Sequence, residues 1–181
     1  MLPFGHIAAG YLIADAVVKA AGPVLTPIEA RDLTLWGVFF AFAPDLDTFY
    51  SFWRARGFTL PGKEFNHRGY LTHRPLLWLA AGAVVFLLAS TAYWRYFGLL
   101  LWLCSWSHFA LDSGRTGVEW LWPFSRRFFA IKEPGATEDN PAKGFFRHWF
   151  NMIRLYKEKA PLVFYLEIAL IAAALIKLAV K

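Results

Sequence analysis

The sequence contains a single cysteine, Cys104, which lies inside the apolar run 99–106. One cysteine excludes an internal disulfide framework, so we expect this residue to be a small buried hydrophobe. Charged residues are also scarce: they make up 18% of the chain, whereas 57% of the residues are hydrophobic. This balance differs from that of an ordinary soluble domain and indicates a membrane protein.

Two further absences narrow the function class. No Lys or Arg precedes the first apolar stretch, so the basic region of a secretory signal peptide is missing and we expect the first helix to remain in the mature protein. The formal net charge is +6, yet no Lys/Arg run interleaved with exposed aromatic residues lies outside the loops that flank apolar segments. We therefore expect no nucleic-acid partner and attribute the basic charge to membrane topology.

Five apolar segments are present, and about 20 residues suffice to cross a bilayer as a helix. The third and fifth are the clearest spans, whereas the first two are short and leave full crossing open. These observations predict an all-α fold: a polytopic membrane bundle of about five helices in a single domain, 1–181, with a basic surface segment at 113–160. The apolar segments are 6–21, 33–44, 75–93, 96–111 and 162–180.

The connections between these segments carry further predictions. Arg95 separates two apolar runs and predicts a tight turn, and 143–159 is expected to form an amphipathic helix on the membrane surface. If all five segments cross, the N-terminus and the loops 45–74 and 112–161 share one side of the membrane. All but five of the 19 basic residues lie on that side, so the positive-inside rule places it in the cytoplasm. The five exceptions are Lys19, Arg31, Arg95, Lys177 and Lys181.

This topology brings seven polar residues to the cytoplasmic ends of the helices. Imidazole and carboxylate groups are the usual protein ligands of zinc and related metals, so their convergence predicts a metal site on that face. The membrane lipid bilayer is the expected partner, and an amphipathic substrate is expected at such a site. The seven residues are His6, Asp45, Asp47, His67, His73, His108 and Asp112.

Each motif has a simpler explanation when it is taken alone. His108 and Asp112 are one helical turn apart and can reach one cation, but a helix-end histidine with a capping carboxylate is the better explanation of that pair by itself. Asp45 and Asp47 point apart in a regular helix, so a shared site requires a turn, which Pro44 favours. Without a cation they are a solvated helix end, although their charge opposes the helix dipole.

The segment 67–74 contains two histidines and two arginines around Gly69. A basic loop that touches anionic lipid explains Arg68 and Arg74, but it does not explain the two imidazoles. Two other titratable residues are left outside the site. His148 lies in an aromatic and basic segment typical of a membrane interface, and Glu167 is close enough to the basic side for its carboxylate to snorkel there.

Taken together, these motifs resemble the YdjM-like family of bacterial inner-membrane metal-dependent hydrolases. The resemblance covers residues 1 to about 125 and depends on the order and spacing of the motifs rather than on any one of them. It implies a location in the bacterial inner membrane. The motifs that carry it are His6, Pro44-Asp45-Leu46-Asp47, His67-Arg68-Gly69-Tyr70-Leu71-Thr72-His73, His108-x-x-x-Asp112, and Gly117 followed by Pro123-Phe124.

That family is distantly similar to zinc-dependent phospholipase C and P1 nuclease, which are all-helical phosphoesterases. The similarity implies that Asp45, His67, His108 and Asp112 hold one zinc and that His6 contributes to another. The later His…His-x-x-x-Glu ligands of those enzymes have no match here, because His148 is followed by Trp149-Phe150-Asn151-Met152. One or two zinc ions are therefore expected rather than three, although other divalent metals suit the same ligands.

The function predicted from these residues is hydrolysis of a phosphoester, such as a phospholipid, by zinc-activated water. His6, Asp45, His67, His73, His108 and Asp112 are the predicted metal ligands. Asp47 is expected to accept a proton from water, and Arg68, Arg74 and Arg115 to neutralise charge on the phosphoryl group. Two non-enzymatic functions remain open: binding or transport of a cation, and a membrane scaffold with a structural zinc.

Overall fold

The chain folds into helices in this computed structural model, which describes residues 3–56, 69–114, 117–131 and 145–180. Within these ranges the regular structure is helical apart from one isolated antiparallel bridge between Val118 and Phe129. The predicted all-α fold class is confirmed. The helices are α1 Pro3–Ala21, α2 Pro27–Phe42, α3 Asp47–Ala55, α4 Pro75–Leu88, α5 Ala92–Asp112, α6 Phe145–Lys159 and α7 Pro161–Ala179, with 3-10 turns at Gly22–Val24, Ala43–Leu46 and Leu71–His73.

The helix ends follow from local sequence signals. Pro27 occupies the first turn of α2, and Thr26 and Glu29 form a capping box in which the Thr26 amide donates to the Glu29 carboxylate at 2.8 Å. The turn predicted at Arg95 is wrong, because that residue lies inside α5. The turn comes earlier, at 89–91, where the Thr91 hydroxyl caps α5 by accepting from the Trp94 amide. A capping threonine is thus a stronger local signal of where a helix begins than the isolated charge of Arg95.

Two glycine pairs allow the helices to approach closely. A Cβ on Gly10 of α1 would lie 2.8 Å from the carbonyl oxygen of Gly37 in α2. A Cβ on Gly82 of α4 would lie 2.6 Å from the carbonyl oxygen of Gly98 in α5. Small residues at such crossings bring helix backbones together, which is typical of packing in membrane proteins. The close crossings hold α1, α2, α4 and α5 as one packed unit.

A buried carboxylate connects α7 to α1. Asp15 lies inside the first apolar segment, and the neighbouring helices shield its side chain from solvent. Its carboxylate accepts from Lys19 at 3.1 Å and from Lys177 of α7 at 2.5 Å. A buried charge is tolerated only when it is paired, so this contact fixes α7 against α1.

Within the part of the chain that the structure describes, two helices are long and apolar enough to cross a membrane. They are α1 with its following turn, Pro3–Val24, and α7; α4 is apolar but has only 14 residues. Most of α7 is exposed, including Leu162 and Leu175, and so are Leu87 and Leu88 of α4. Apolar surfaces of this extent suit contact with lipid. The five-span bundle remains a prediction, with two of its segments meeting the criteria for a span.

Gly98→Ala is expected to destabilise the chain because the added methyl would lie 2.7 Å from the carbonyl oxygen of Gly82 and from the amide of Phe86. Backbone atoms cannot move aside cheaply, and overpacking of this kind costs about 1–3 kcal/mol. Gly69→Ala is the matched control, since no atom lies within 4 Å of its added Cβ. Thermal unfolding of the detergent-purified protein measures the difference, and equal midpoints for the two variants would contradict the close crossing.

Candidate metal centre

The hydrogen bonds of His108 orient this residue as a ligand. The side chain is fully buried on α5, and its Nδ1 donates to the carbonyl oxygen of Ala41 at 2.8 Å. A carbonyl oxygen cannot donate, so the proton belongs to Nδ1 and the lone pair to Nε2. The buried Nε2 has no hydrogen-bond partner among the described residues. It lies instead 3.6 Å from Asp45 and 3.8 Å from Asp112.

His73 is oriented in the same way by a carboxylate. It ends the turn Leu71–His73, is fully buried, and donates from Nδ1 to Asp47 at 2.8 Å. The Thr72 hydroxyl donates to the same carboxylate oxygen of Asp47. A carboxylate on the far nitrogen of an imidazole is the usual support of a metal-binding histidine. Nε2 of His73 therefore faces Asp45 and Asp112.

Four ligand atoms from three parts of the chain converge at this point. His73 Nε2 lies 3.5 Å from Asp45 Oδ1 and 3.9 Å from Asp112 Oδ2, and the distances from His108 Nε2 to the same oxygens are 3.6 and 3.8 Å. A tetrahedral zinc with bonds of about 2.0–2.2 Å separates its ligand atoms by about 3.3–3.6 Å. The observed separations are too long for good hydrogen bonds but close to this geometry. The spacing of these nitrogen and oxygen atoms therefore suits a bound cation.

Asp112 also faces a third histidine, His6. Its other carboxylate oxygen, Oδ1, lies 3.7 Å from Nε2 of His6, which is buried in the first turn of α1. The His6 ring stacks on that of His108 with the centroids 3.9 Å apart. Ligand atoms of His6, His108 and Asp112 thus form a second group able to hold a metal, next to the group of Asp45, His73 and His108. His108 belongs to both groups, and the Oδ2 atom of Asp112 lies 3.9 Å from Nε2 of His73 in the other group.

The electrostatics of the site favour positive charge. Burial alone would raise the pKa of Asp45, but the adjacent imidazoles of His73 and His108 outweigh it and lower that pKa below its usual range. Burial alone would lower the pKa of His73, but the carboxylates of Asp45 and Asp47 outweigh it and raise that pKa. Both shifts come from the close approach of imidazoles and carboxylates, since each favours the charged form of the other. A bound cation would compensate the negative charge of the same carboxylates.

The bend at the end of α2 explains how Asp45 and Asp47 serve one site. Pro44 lies in the 3-10 turn Ala43–Leu46, and α3 begins directly after it at Asp47. Asp45 points toward both imidazoles, whereas Asp47 reaches the opposite nitrogen of His73. The predicted turn at Pro44 is therefore confirmed. Asp45 is also the most open of the four converging residues, with 17% of its side chain exposed.

Arg74 pairs with a residue that is not one of the candidate metal ligands. Its buried guanidinium forms an ion pair with Glu119, donates to the Gly69 carbonyl at 2.8 Å and lies over the Trp122 ring at 5.5 Å. Its predicted role toward a phosphoryl group stays a prediction, since these contacts already engage much of the side chain. The predicted site residues His67, Arg68 and Arg115 lie outside the described residues.

Sequence reasoning missed the tryptophans that hold the ligand-bearing segments. Trp78 donates to the carbonyl of Thr72 at 2.8 Å, Trp106 to that of Pro75 at 3.0 Å, and Trp120 to the hydroxyl of Ser113 at 2.8 Å. The acceptors lie within two residues of His73 or Asp112. The only signal in the sequence was the abundance of tryptophan, and composition does not show which indole reaches which acceptor.

Glu167 differs from its prediction. Its side chain is fully buried rather than extended toward the basic side, and its Cγ lies 2.8 Å from where a Cβ on Gly5 would stand. Gly5 directly precedes His6, so the glutamate packs beside the first turn of α1. Hydropathy could not predict this position of Glu167, because the space that its side chain fills exists only since Gly5, in a different helix, has no side chain.

The profile of the YdjM inner membrane protein family matches residues 1–180. The chain belongs to the YdjM inner membrane protein family. No curated protein and no solved structure matches it. The resemblance stated from the motifs is thus confirmed and extends well beyond residue 125.

Membership of the YdjM family and the two apolar helices place this protein in a membrane. This location gives a physical reason for the exposed apolar surfaces of α4 and α7, because apolar side chains in contact with lipid avoid the cost of exposure to water. A membrane location also makes the buried carboxylates stronger evidence for an ion-binding site. Polar groups at membrane depth are expensive, and they persist where they pair or bind ions.

Asp47→Asn is expected to weaken binding of zinc roughly 10- to 100-fold, which is the usual effect of losing the carboxylate that orients a ligating histidine. Asp45→Asn removes a converging donor and is expected to weaken binding further. Competition with a zinc-sensitive chelator dye measures both affinities in purified protein. Equal losses of zinc affinity in the two variants would contradict the assignment of Asp45 as a ligand and of Asp47 as the residue that orients His73.

Replacing Arg74 by Met is expected to destabilise the protein by about 3–5 kcal/mol, because it leaves Glu119 buried without its counter-charge. The double variant Arg74→Met, Glu119→Leu is expected to recover most of this loss. Chemical unfolding in detergent measures both. If the double variant is no more stable than the single one, the pair does not have the structural role assigned to it.

Proposed function

We propose that this protein is a membrane-bound metal-dependent hydrolase of phosphoesters, and that its metal is zinc. The observation that carries the proposal is the convergence of His73, His108, Asp45 and Asp112, whose ligand atoms are 3.5–3.9 Å apart across the four measured His–Asp pairs. Two nitrogen and two oxygen donors suit zinc better than the all-oxygen sets preferred by magnesium and calcium. Membership of a membrane protein family supports an amphipathic substrate.

Two cations are part of the proposal. Asp45, His73, His108 and one oxygen of Asp112 would hold the first. The other oxygen of Asp112 and His6 would contribute to the second. A carboxylate that spans two metals is common in phosphoesterase centres with paired ions. The second position has fewer protein donors among the described residues, and this leaves room there for water and substrate.

When bound, zinc supplies a Lewis acid that acidifies water to a pKa of about 7 and polarises a phosphoryl oxygen. The protein's own groups perform the remaining tasks. Asp47 holds His73 through Nδ1, and the Ala41 carbonyl holds His108 through the same ring atom. Asp47 thereby acts on a ligand rather than directly on water. Asp45 faces the most open side of the cluster, so an entering molecule would approach the site past this carboxylate.

We further propose that the protein crosses the membrane several times and that the site lies at the cytoplasmic face. The basic residues support this orientation, because most of them occur in the same connections as the site residues. A site at that depth meets the phosphate groups of the inner leaflet.

A structural zinc is the second candidate function, and one observation favours it. Four protein donors complete a tetrahedron, whereas a catalytic zinc normally keeps one position open. A structural site would stabilise the ends of α2, α4 and α5 without turning over a substrate. The two functions differ in the expected number of bound metals and in hydrolysis.

Metal analysis of the full chain, purified in detergent and dialysed against zinc, tests the proposal. We expect about one to two equivalents of tightly bound zinc in the wild type and less than half of that in His108→Ala. Ser107→Ala is the matched control, because it changes the adjacent residue of α5, whose hydroxyl donates only to its own helix. Less than one equivalent in the wild type, with no change in His108→Ala, would refute the metal centre.

Hydrolysis is measured on the same samples. The zinc-loaded wild type is expected to release phosphate or a head group from phospholipid vesicles, and His108→Ala is expected to lose this activity. Zinc binding without turnover of phospholipids or of dissolved phosphomonoesters and phosphodiesters would support the structural zinc instead.

A further inference from the structure

Helix α3 presents its polar residues to the protein and its aromatic residues to the outside. Asp47 and Ser51, one turn apart, are buried, whereas Phe49, Tyr50 and Trp53 are exposed, Trp53 by 75%. This is the reverse of a surface helix on a soluble protein, which buries its apolar side. The outward aromatic face requires a partner other than water.

Helix α6 is placed at the membrane surface by its connection to α7. Only Ala160 separates the end of α6 at Lys159 from Pro161, where α7 begins, a helix long and apolar enough to cross a membrane. The exposed residues of α6 form two adjacent stripes. One contains Phe146, Phe150 and Ile153. The other contains Arg147 and Arg154, and it ends at Glu158, which pairs with Arg154 at 3.7 Å. An exposed apolar stripe beside a basic one is typical of a helix in the headgroup region of an anionic membrane.

Helix α3 adjoins the candidate metal centre directly, and α6 is linked to it through the start of α7. α3 starts at Asp47, which binds His73. The start of α7, which continues from α6, packs on the end of α5, because Val163 lies 2.5 Å from where a Cβ on Gly114 would stand. Gly114 is two residues after Asp112. The aromatic face of α3 and the apolar stripe of α6 are therefore tied to the same end of the bundle as the metal ligands.

We infer that α3 and α6 lie in the headgroup region of an anionic leaflet, with Phe49, Tyr50, Trp53, Phe150 and Ile153 in contact with lipid. Aromatic side chains prefer this region, and arginines on the neighbouring stripe of α6 match the charge of the lipid phosphates. The partner of this surface is the bilayer itself. This part of the inference depends only on the membrane location of the family.

A second part rests on the proposed function. With α3 in the headgroup region, the exposed side of Asp45 opens next to lipid phosphates, only two residues before α3 begins. The substrate is then an anionic phospholipid that enters sideways from the leaflet. A water-soluble phosphoester would reach the site without contacting the aromatic face of α3.

Depth measurements by spin labelling test the first part. Cysteines are introduced at Trp53, at Phe150 and, as a matched control on the same helix as Phe150, at Glu158, in a chain whose buried Cys104 is replaced by Ser. The labelled protein is placed in nanodiscs that contain phosphatidylglycerol. Labels at 53 and 150 are expected to collide more with oxygen than with a water-soluble nickel chelate, and the label at 158 to show the opposite.

A label at 53 that is as accessible to nickel as the label at 158 would overturn the inference. Phe49→Cys gives an independent reading of the same face if the Trp53 variant does not fold, since Phe49 is 59% exposed on α3. Bound zinc equal to that of the wild type shows that a labelled variant retains its site.

Turnover tests the second part. Trp53→Asp is expected to lower hydrolysis of phosphatidylglycerol in vesicles by about ten- to hundredfold through KM, whereas Trp53→Phe retains it. Equal activity of Trp53→Asp and Trp53→Phe on vesicles would overturn lateral entry. If no phosphoester is hydrolysed while the labels at 53 and 150 are lipid-exposed, the proposed function fails and the membrane contact stands.

Discussion

Negative charge buried among apolar helices is the constraint on which the rest of this structure depends. Asp45, Asp47 and Asp112 meet within a few ångströms at the end of a bundle with few charges. Removing carboxylates from water costs several kcal/mol each unless opposite charge or hydrogen bonds compensate. Histidines from separate helices face them, and backbone carbonyls and indoles hold the histidines in turn. The packing of α1, α2, α4 and α5 serves to keep these groups together.

The sequence predicted the helical class and most of the converging residues, because both leave local signals. Apolar runs of sufficient length identify helices, and rare polar residues at their ends stand out against a hydrophobic background. Pro44 predicted the bend that separates Asp45 from Asp47. Helix bounds were less accurate, as at Arg95, since a capping threonine outweighed an isolated charge.

The supporting contacts had no comparable signal. The carbonyl of Ala41 that orients His108 is a backbone atom, and every residue has one. The ion pair between Arg74 and Glu119 joins residues far apart in sequence, and so does the packing of Glu167 on Gly5. Such contacts depend on which helices become neighbours. Hydropathy and spacing describe one segment at a time and do not contain that information.

The distribution of the donors over the chain gives the protein a thermodynamic property. Asp45, His73, His108 and Asp112 belong to the 43–46 turn, the 71–73 turn and the end of α5, and no short peptide contains a complete set. A ligand that binds only the assembled form stabilises it by mass action. For the metal centre proposed above, the free concentration of the cation in the surrounding compartment would then set the fraction of assembled bundles, so that metal starvation would lower the amount of this protein.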